Sequence, residues 1–109
     1  MSIVKTNNGQ EVEVSDNYYD WILEDYIDEY CDYLYEEGRD STADTIYDRV
    51  NSDENKLSES YFKFIKKTVK GLIKYLKKEE NQDALDWIYD MISEANNFHK
   101  DIPYAQWEE

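Results

Sequence analysis

The chain has little of what most enzyme sites are made from. Among its 109 residues there is one histidine, His99, one cysteine, Cys31, one proline, Pro103, and three glycines, Gly9, Gly38 and Gly71. A lone cysteine excludes an internal disulfide and a CxxC redox or zinc pair, so Cys31 is expected to be a buried, inert thiol. Catalytic triads and His/Cys metal sites find no support. His99, beside Lys100 and ahead of Pro103, is expected to be a surface or packing residue. The glycines are too scattered for a phosphate-cradling loop. Asn51, Asp53 and Asn55 alternate as the start of an EF-hand would, but Lys56 stands where that loop needs Gly and Phe62 where it needs a bidentate Glu. Paired carboxylates are too abundant here to single out an acid-base couple. No catalytic residue, metal ligand or cofactor site is therefore expected, and the chain is read as not an enzyme.

Long apolar runs are missing too. No stretch approaches the roughly 20 residues of a membrane span, and the first ten residues lack the apolar core of a secretory signal, so a soluble, cytoplasmic protein is expected. Positive charge is scarce: 12 Lys and Arg stand against 26 Asp and Glu, a net charge of -14. Such a field repels nucleic acid and anionic membranes at long range and attracts a basic surface, so neither direct nucleic-acid binding nor a membrane is expected. High charge can also mean disorder, but three Trp, 11 Tyr and a regular Ile/Leu/Val pattern supply the apolar area that disordered chains lack.

What is present organises as one mainly α domain, a compact bundle of about four helices behind a short N-terminal β-hairpin. The hairpin, about 3–14, consists of two β-prone runs around Asn8-Gly9, and being marginal alone it is expected to lean on helices. A helix over about 16–37 is bracketed by Ser15 as N-cap and Gly38 as C′ residue, with Tyr19, Leu23, Tyr26, Ile27, Tyr30 and Leu34 on one core stripe. Helices over about 42–50 (capped by Ser41 or Asp40), 59–78 (Ser58) and 82–96 (Asn81) follow. The helix over 59–78 carries the cleanest amphipathic pattern: Phe62, Ile65, Val69, Leu72, Ile73 and Leu76. Gly71 inside it costs up to about 1 kcal/mol against Ala and so marks a close helix contact. In the tail, 98–109, Phe98, Ile102, Tyr104 and Trp107 predict docking on the bundle.

The first long helix is the unusual element. Asp16, Asp20, Glu24, Asp28, Asp32 and Glu36 follow at steps of four, Asp25, Glu29 and Glu37 lie on adjacent rows, and no Lys, Arg or His interrupts them. Like charges at i,i+4 cost roughly 0.2 to 0.5 kcal/mol each, so a sequence selected for stability alone would interleave Lys. The pattern points to a basic partner met by these carboxylates, with Tyr18 and Tyr33 as aromatic anchors. Trp21 and Tyr35 also fall outside the core stripe, among the acids. A solvated face that merely aids solubility is the plainer alternative.

Positive charge is gathered instead on the helix over 59–78, in Lys63, Lys66, Lys67, Lys70, Lys74, Lys77 and Lys78. Three readings stay open: a basic helix binding an anionic surface, lysines facing the acids of the first and fourth helices, or a homodimer in which one protomer's lysines meet the other's acids.

In its small size, acidity, aromatic content and helical character, carried by the run 16–37 and helped by Asp40, Asp44, Asp48, Asp53 and Glu54, the sequence resembles the DNA-mimic inhibitors used by phages and mobile elements against restriction enzymes and CRISPR nucleases. The resemblance is to a class and rests on no motif. It implies an anti-restriction or anti-CRISPR inhibitor that occupies the basic nucleic-acid groove of a nuclease or other DNA-binding protein, in the host cytoplasm. The alternative is an adaptor or immunity-type protein that masks a basic toxin or regulator away from such a groove.

Overall fold

The computed structural model describes residues 2–5, 9–14 and 16–107. Ser2–Lys5 (β1) and Glu11–Val14 (β2) pair antiparallel, with Ile3 opposite Glu13 and Lys5 opposite Glu11. These four residues share one face, and all are exposed. The expectation that the hairpin leans on helices concerns its other face, whose side chains lie outside the described residues. Gly9 adopts φ +82° at the turn; Asn8, named for the same turn, lies outside the described residues.

Five helices make up the rest of the described residues: Tyr18–Glu24 (α1), Ile27–Glu36 (α2), Asp40–Val50 (α3), Glu59–Lys78 (α4) and Gln82–Phe98 (α5), followed by a 3-10 turn at Pro103–Ala105. The fold is mainly helical. α4 is its spine, packed against α1, α5 and the 3-10 turn, while α2 packs against α3. Phe62, Ile65, Val69, Leu72, Ile73 and Leu76 are all buried along α4, each worth roughly 1.5 to 3 kcal/mol of apolar transfer. Its start is fixed by Ser58, whose side chain accepts from the Tyr61 N–H, and that of α5 by Asn81, which accepts from the Ala84 N–H.

An unbroken helix over 16–37 is corrected. Helical geometry begins at Tyr18, where Asn17 accepts from the Tyr19 N–H at 3.0 Å; Ser15, the expected cap, lies outside the described residues. The chain then breaks at Asp25 and Tyr26: Tyr26 has φ -124° and ψ 0°, and its N–H donates to the Leu23 carbonyl, one residue short of the α-helical partner. No Gly or Pro causes this. The break lets α1 pack on α4 and α5 while α2 turns to α3. It also relieves a segment in which Asp20, Glu24 and Asp28, and Asp25 and Glu29, repel at i,i+4. Four residues of the expected stripe, Tyr19, Leu23, Tyr30 and Leu34, are buried; Tyr26 and Ile27 are half-buried, and Ile22 and Cys31 join the core instead. Burial pushes the Cys31 thiol up to about 11.

Gly38, at φ +76°, ends α2, and the Arg39 N–H returns to the Leu34 carbonyl at 2.8 Å. This turn feeds the chain straight into α3, which therefore starts at Asp40 rather than 42, with Arg39 in the cap position and no side-chain cap bond. α5 runs two residues past the expected 96, so Phe98 closes that helix, 49% exposed, instead of docking with the tail. The tail itself is held: Lys66 donates to the Tyr104 and Gln106 carbonyls, Tyr104 to the Leu57 carbonyl, and the Trp107 N–H to the Asn96 side chain. No helix among the described residues is long and apolar enough to cross a membrane.

Candidate functional site

Two rows of carboxylates, one on each of two packed helices, form the acidic face. On α2, Asp28, Asp32 and Glu36 are exposed at steps of four; on α3, Asp40, Asp44 and Asp48 repeat the pattern. Each step rises about 6 Å along the helix. The helices run antiparallel, and tyrosines tie one row to the other: Tyr47 donates to Asp28 at 2.8 Å and Tyr35 to Asp44 at 2.6 Å. Donation to Asp44 pushes the Tyr35 hydroxyl up to about 12, and the bond to Asp28 raises Tyr47 further. The tyrosines thus act as hydrogen-bond donors that fix carboxylate positions. Glu24, Asp25 and Glu29 are exposed at and around the break between α1 and α2, and Asp16 is exposed ahead of α1.

Asp20 stands apart. α1 turns it onto α4, where it is half-buried and accepts from the Tyr61 hydroxyl at 2.5 Å. Burial raises its pKa above the usual carboxylate range, against the opposing hydrogen bond from Tyr61 and the charge of Lys56. Its carboxylate is held within the fold and does not share the outer surface with Asp28 and Asp32.

The two aromatic anchors are separated. Tyr18 is half-buried where α1 meets α5: its hydroxyl donates to Glu94 at 2.8 Å, and its ring lies 4.8 Å from Trp21 and 5.4 Å from Phe98. Trp21 is 43% exposed. Tyr18, Trp21 and Phe98 therefore form a surface aromatic cluster beside Glu94, whose members Phe98 and Glu94 the sequence did not single out for binding. Phe98 would have been flagged only by continuing α5 to its end. Tyr33 lies on the other side of α2, its ring 4.5 Å from that of Tyr75 and tilted 37° to it, beneath Lys78. It is brought to the lysines of α4 and away from Tyr18.

Of the expected pairing between these lysines and the first and fourth helices, the contact of Lys78 with Glu37, at the end of the segment 16–37, is present. Ion pairs between described side chains include Arg49–Glu54, bidentate at 2.9 Å, and Lys78–Glu37 at 3.6 Å. Lys63, Lys67, Lys70, Lys74 and Lys77 are exposed. Charge segregated along the sequence stays segregated in space.

His99 is 1% exposed, and its Nε2 accepts the Tyr18 N–H at 3.1 Å, which requires the neutral ring. Burial lowers its pKa to about 4. It anchors the start of α1 and packs on Phe62 and Phe98.

Comparison with protein-family models, with characterised proteins and with solved structures finds no match for this chain.

Proposed function

We propose that this protein is an acidic inhibitor that binds the basic nucleic-acid-binding surface of a nuclease or other DNA-binding protein as a mimic of DNA charge. The observation that carries the reading is the double carboxylate row of α2 and α3, exposed, cross-tied by Tyr47 and Tyr35, with no Lys, Arg or His between 28 and 36 or between 40 and 48. A double-stranded nucleic acid likewise presents two lines of negative charge, with one phosphate per roughly 3.4 Å of axis on each strand. Nothing on this face reproduces base edges, so the likeness is of charge and shape. Phage or mobile-element counter-defence is the setting in which such an inhibitor serves. Asp28, Asp32 and Glu36, flanked by Glu24, Asp25 and Glu29, make the main contacts, and association is fast and salt-sensitive.

The test is competition. A partner captured from the host cytosol is identified, purified, and measured for DNA binding with and without this protein. Mutually exclusive binding supports mimicry; full DNA affinity within the complex removes it. That second result fits the other reading, an adaptor or immunity-type protein that masks a basic toxin or regulator elsewhere. The cluster of exposed Trp21 and Phe98 with half-buried Tyr18 favours this alternative, because large aromatics beside charge are the usual composition of a protein-protein hot spot and have no counterpart on a DNA backbone.

A further inference from the structure

A groove of about 830 Å³ opens where α2 and the start of α3 part from α4. Its lining is the inverse of the molecule. Among the described residues of a chain with 26 acids no carboxylate lines it, while Arg39 faces it from one wall and Lys67, Lys74 and Lys78 from the other. Steps of seven and four put the three lysines on one stripe of α4, about 16 Å long. Gathering four cations around one hollow costs Coulomb repulsion that a single Glu in the lining would relieve, and the chain is not short of Glu. An anion bound between the walls supplies the missing charge.

Two further features narrow the anion. Ser41 and Thr42 line the groove in the first turn of α3, where backbone N–H groups lack intrahelical partners and the helix dipole favours negative charge. The N-cap residue, Arg39, makes no side-chain cap bond to that turn, whose one acid is Asp40. Phosphate is the group that such a turn, beside Arg and Lys, accepts best. Tyr33 and Tyr75 line the same groove, and their rings give a planar ligand an aromatic surface. The volume falls in the range of small-molecule sites, roughly 300 to 1,000 Å³. Carboxylates bound its length: Glu37 pairs with Lys78 at one end, and Glu59 lines the hollow that adjoins at Lys67. A long strand would have to pass over them.

We infer that this groove binds a nucleoside phosphate, with the phosphates between Arg39, Lys74 and the first turn of α3 and the base against Tyr33 and Tyr75. Calorimetric titration of the full chain at low salt with ATP, tripolyphosphate and adenosine tests it. One ATP per chain is expected, bound more tightly than either tripolyphosphate or adenosine, and weakening as salt rises. Arg39→Gln with Lys74→Gln, both at exposed positions, weakens ATP by at least about tenfold, while Lys77→Gln, on α4 but outside the groove, leaves it unchanged. Equal thermal melting of the variants shows that they fold. No ATP binding at millimolar concentration overturns the inference, as does equal affinity for tripolyphosphate or an equal loss in Lys77→Gln. A thymidine oligonucleotide that binds tighter than ATP also overturns it, in favour of a strand-binding surface.

Discussion

The Tyr30 hydroxyl rests on the backbone of Gly71, where a methyl group would overlap it and come within 3.2 Å of the Tyr30 ring carbon that bears the oxygen. With the Tyr33–Tyr75 contact it joins α2 to the spine of the bundle, and it explains a glycine in the middle of a 20-residue helix. Gly71→Ala would ordinarily gain up to about 1 kcal/mol of helix stability. Here it is expected to destabilise by about 1 to 3 kcal/mol, because Tyr30 must shift within a packed interface. In a urea titration, Tyr30→Phe in the Gly71→Ala background should recover part of that loss. A stability gain from Gly71→Ala alone would mean that the contact is looser than described.

Glu80 adopts φ +58° in the turn after α4, the left-handed region that costs an L-residue roughly 1 to 2 kcal/mol. The turn is closed as a glycine would close it, with the Asn81 N–H on the Leu76 carbonyl at 3.0 Å. Glu80→Gly is expected to stabilise by about 0.5 to 1 kcal/mol after the entropy that glycine loses on folding. Glu80→Gln separates this backbone gain from the loss of one negative charge. If the glutamine variant gains as much, the gain comes from charge.

How far the sequence shows its own fold depends on whether neighbours or distant contacts decide each element. α4 is legible because its apolar spacing, its Ser58 cap and its length agree, and Gly71 announces a close approach. The break at Tyr26 is not legible, since no residue there disfavours helix and the cause is the separate packing of α1 and α2. Everything phased across that break inherits the error: Ile22 joins the core, Asp20 turns onto Tyr61, and Tyr33 faces the lysines. Charge segregation is legible, because positions 63–78 share one helix whatever its neighbours are. That Arg39, Ser41 and Thr42 meet those lysines depends on the turn at Gly38 and on α2 resting on Gly71, and no local pattern encodes it.

His99 gives the fold an acid-sensitive joint. Its folded pKa, about 4, lies below the ordinary value of 6.5, so between these values the unfolded chain binds the proton and the folded chain does not. Stability is therefore full above about pH 6.5 and falls as the pH drops towards 4, by on the order of 2 kcal/mol. His99→Gln keeps an acceptor for the Tyr18 N–H without titrating. Melting midpoints of the two proteins, compared from pH 7 to pH 4.5, should diverge, with the natural chain losing more. Parallel curves would show that the ring is protonated in place at no cost. Carboxylate repulsion changes over the same range, but equally in both proteins, and so cancels in the comparison.

The acidic face can be separated from acidity in general. Asp28→Asn, Asp32→Asn and Glu36→Gln remove three charges from one row while keeping its shape and an acceptor for Tyr47. Two like-charge i,i+4 pairs vanish, so the urea midpoint should hold or rise, by roughly 0.2 to 0.5 kcal/mol per pair. Binding to the captured basic partner should fall by about an order of magnitude or more, chiefly through a slower and less salt-dependent on-rate. The matched control, Asp83→Asn, Asp86→Asn and Asp90→Asn, makes the same change of net charge on α5. If it weakens the partner as much, long-range field accounts for the attraction and the double row has no special part in it. If neither triple variant weakens binding, the carboxylates serve solubility, and the aromatic cluster of Tyr18, Trp21 and Phe98 becomes the surface to mutate next. Loss confined to the α2 triple is the result that ties recognition to the row itself.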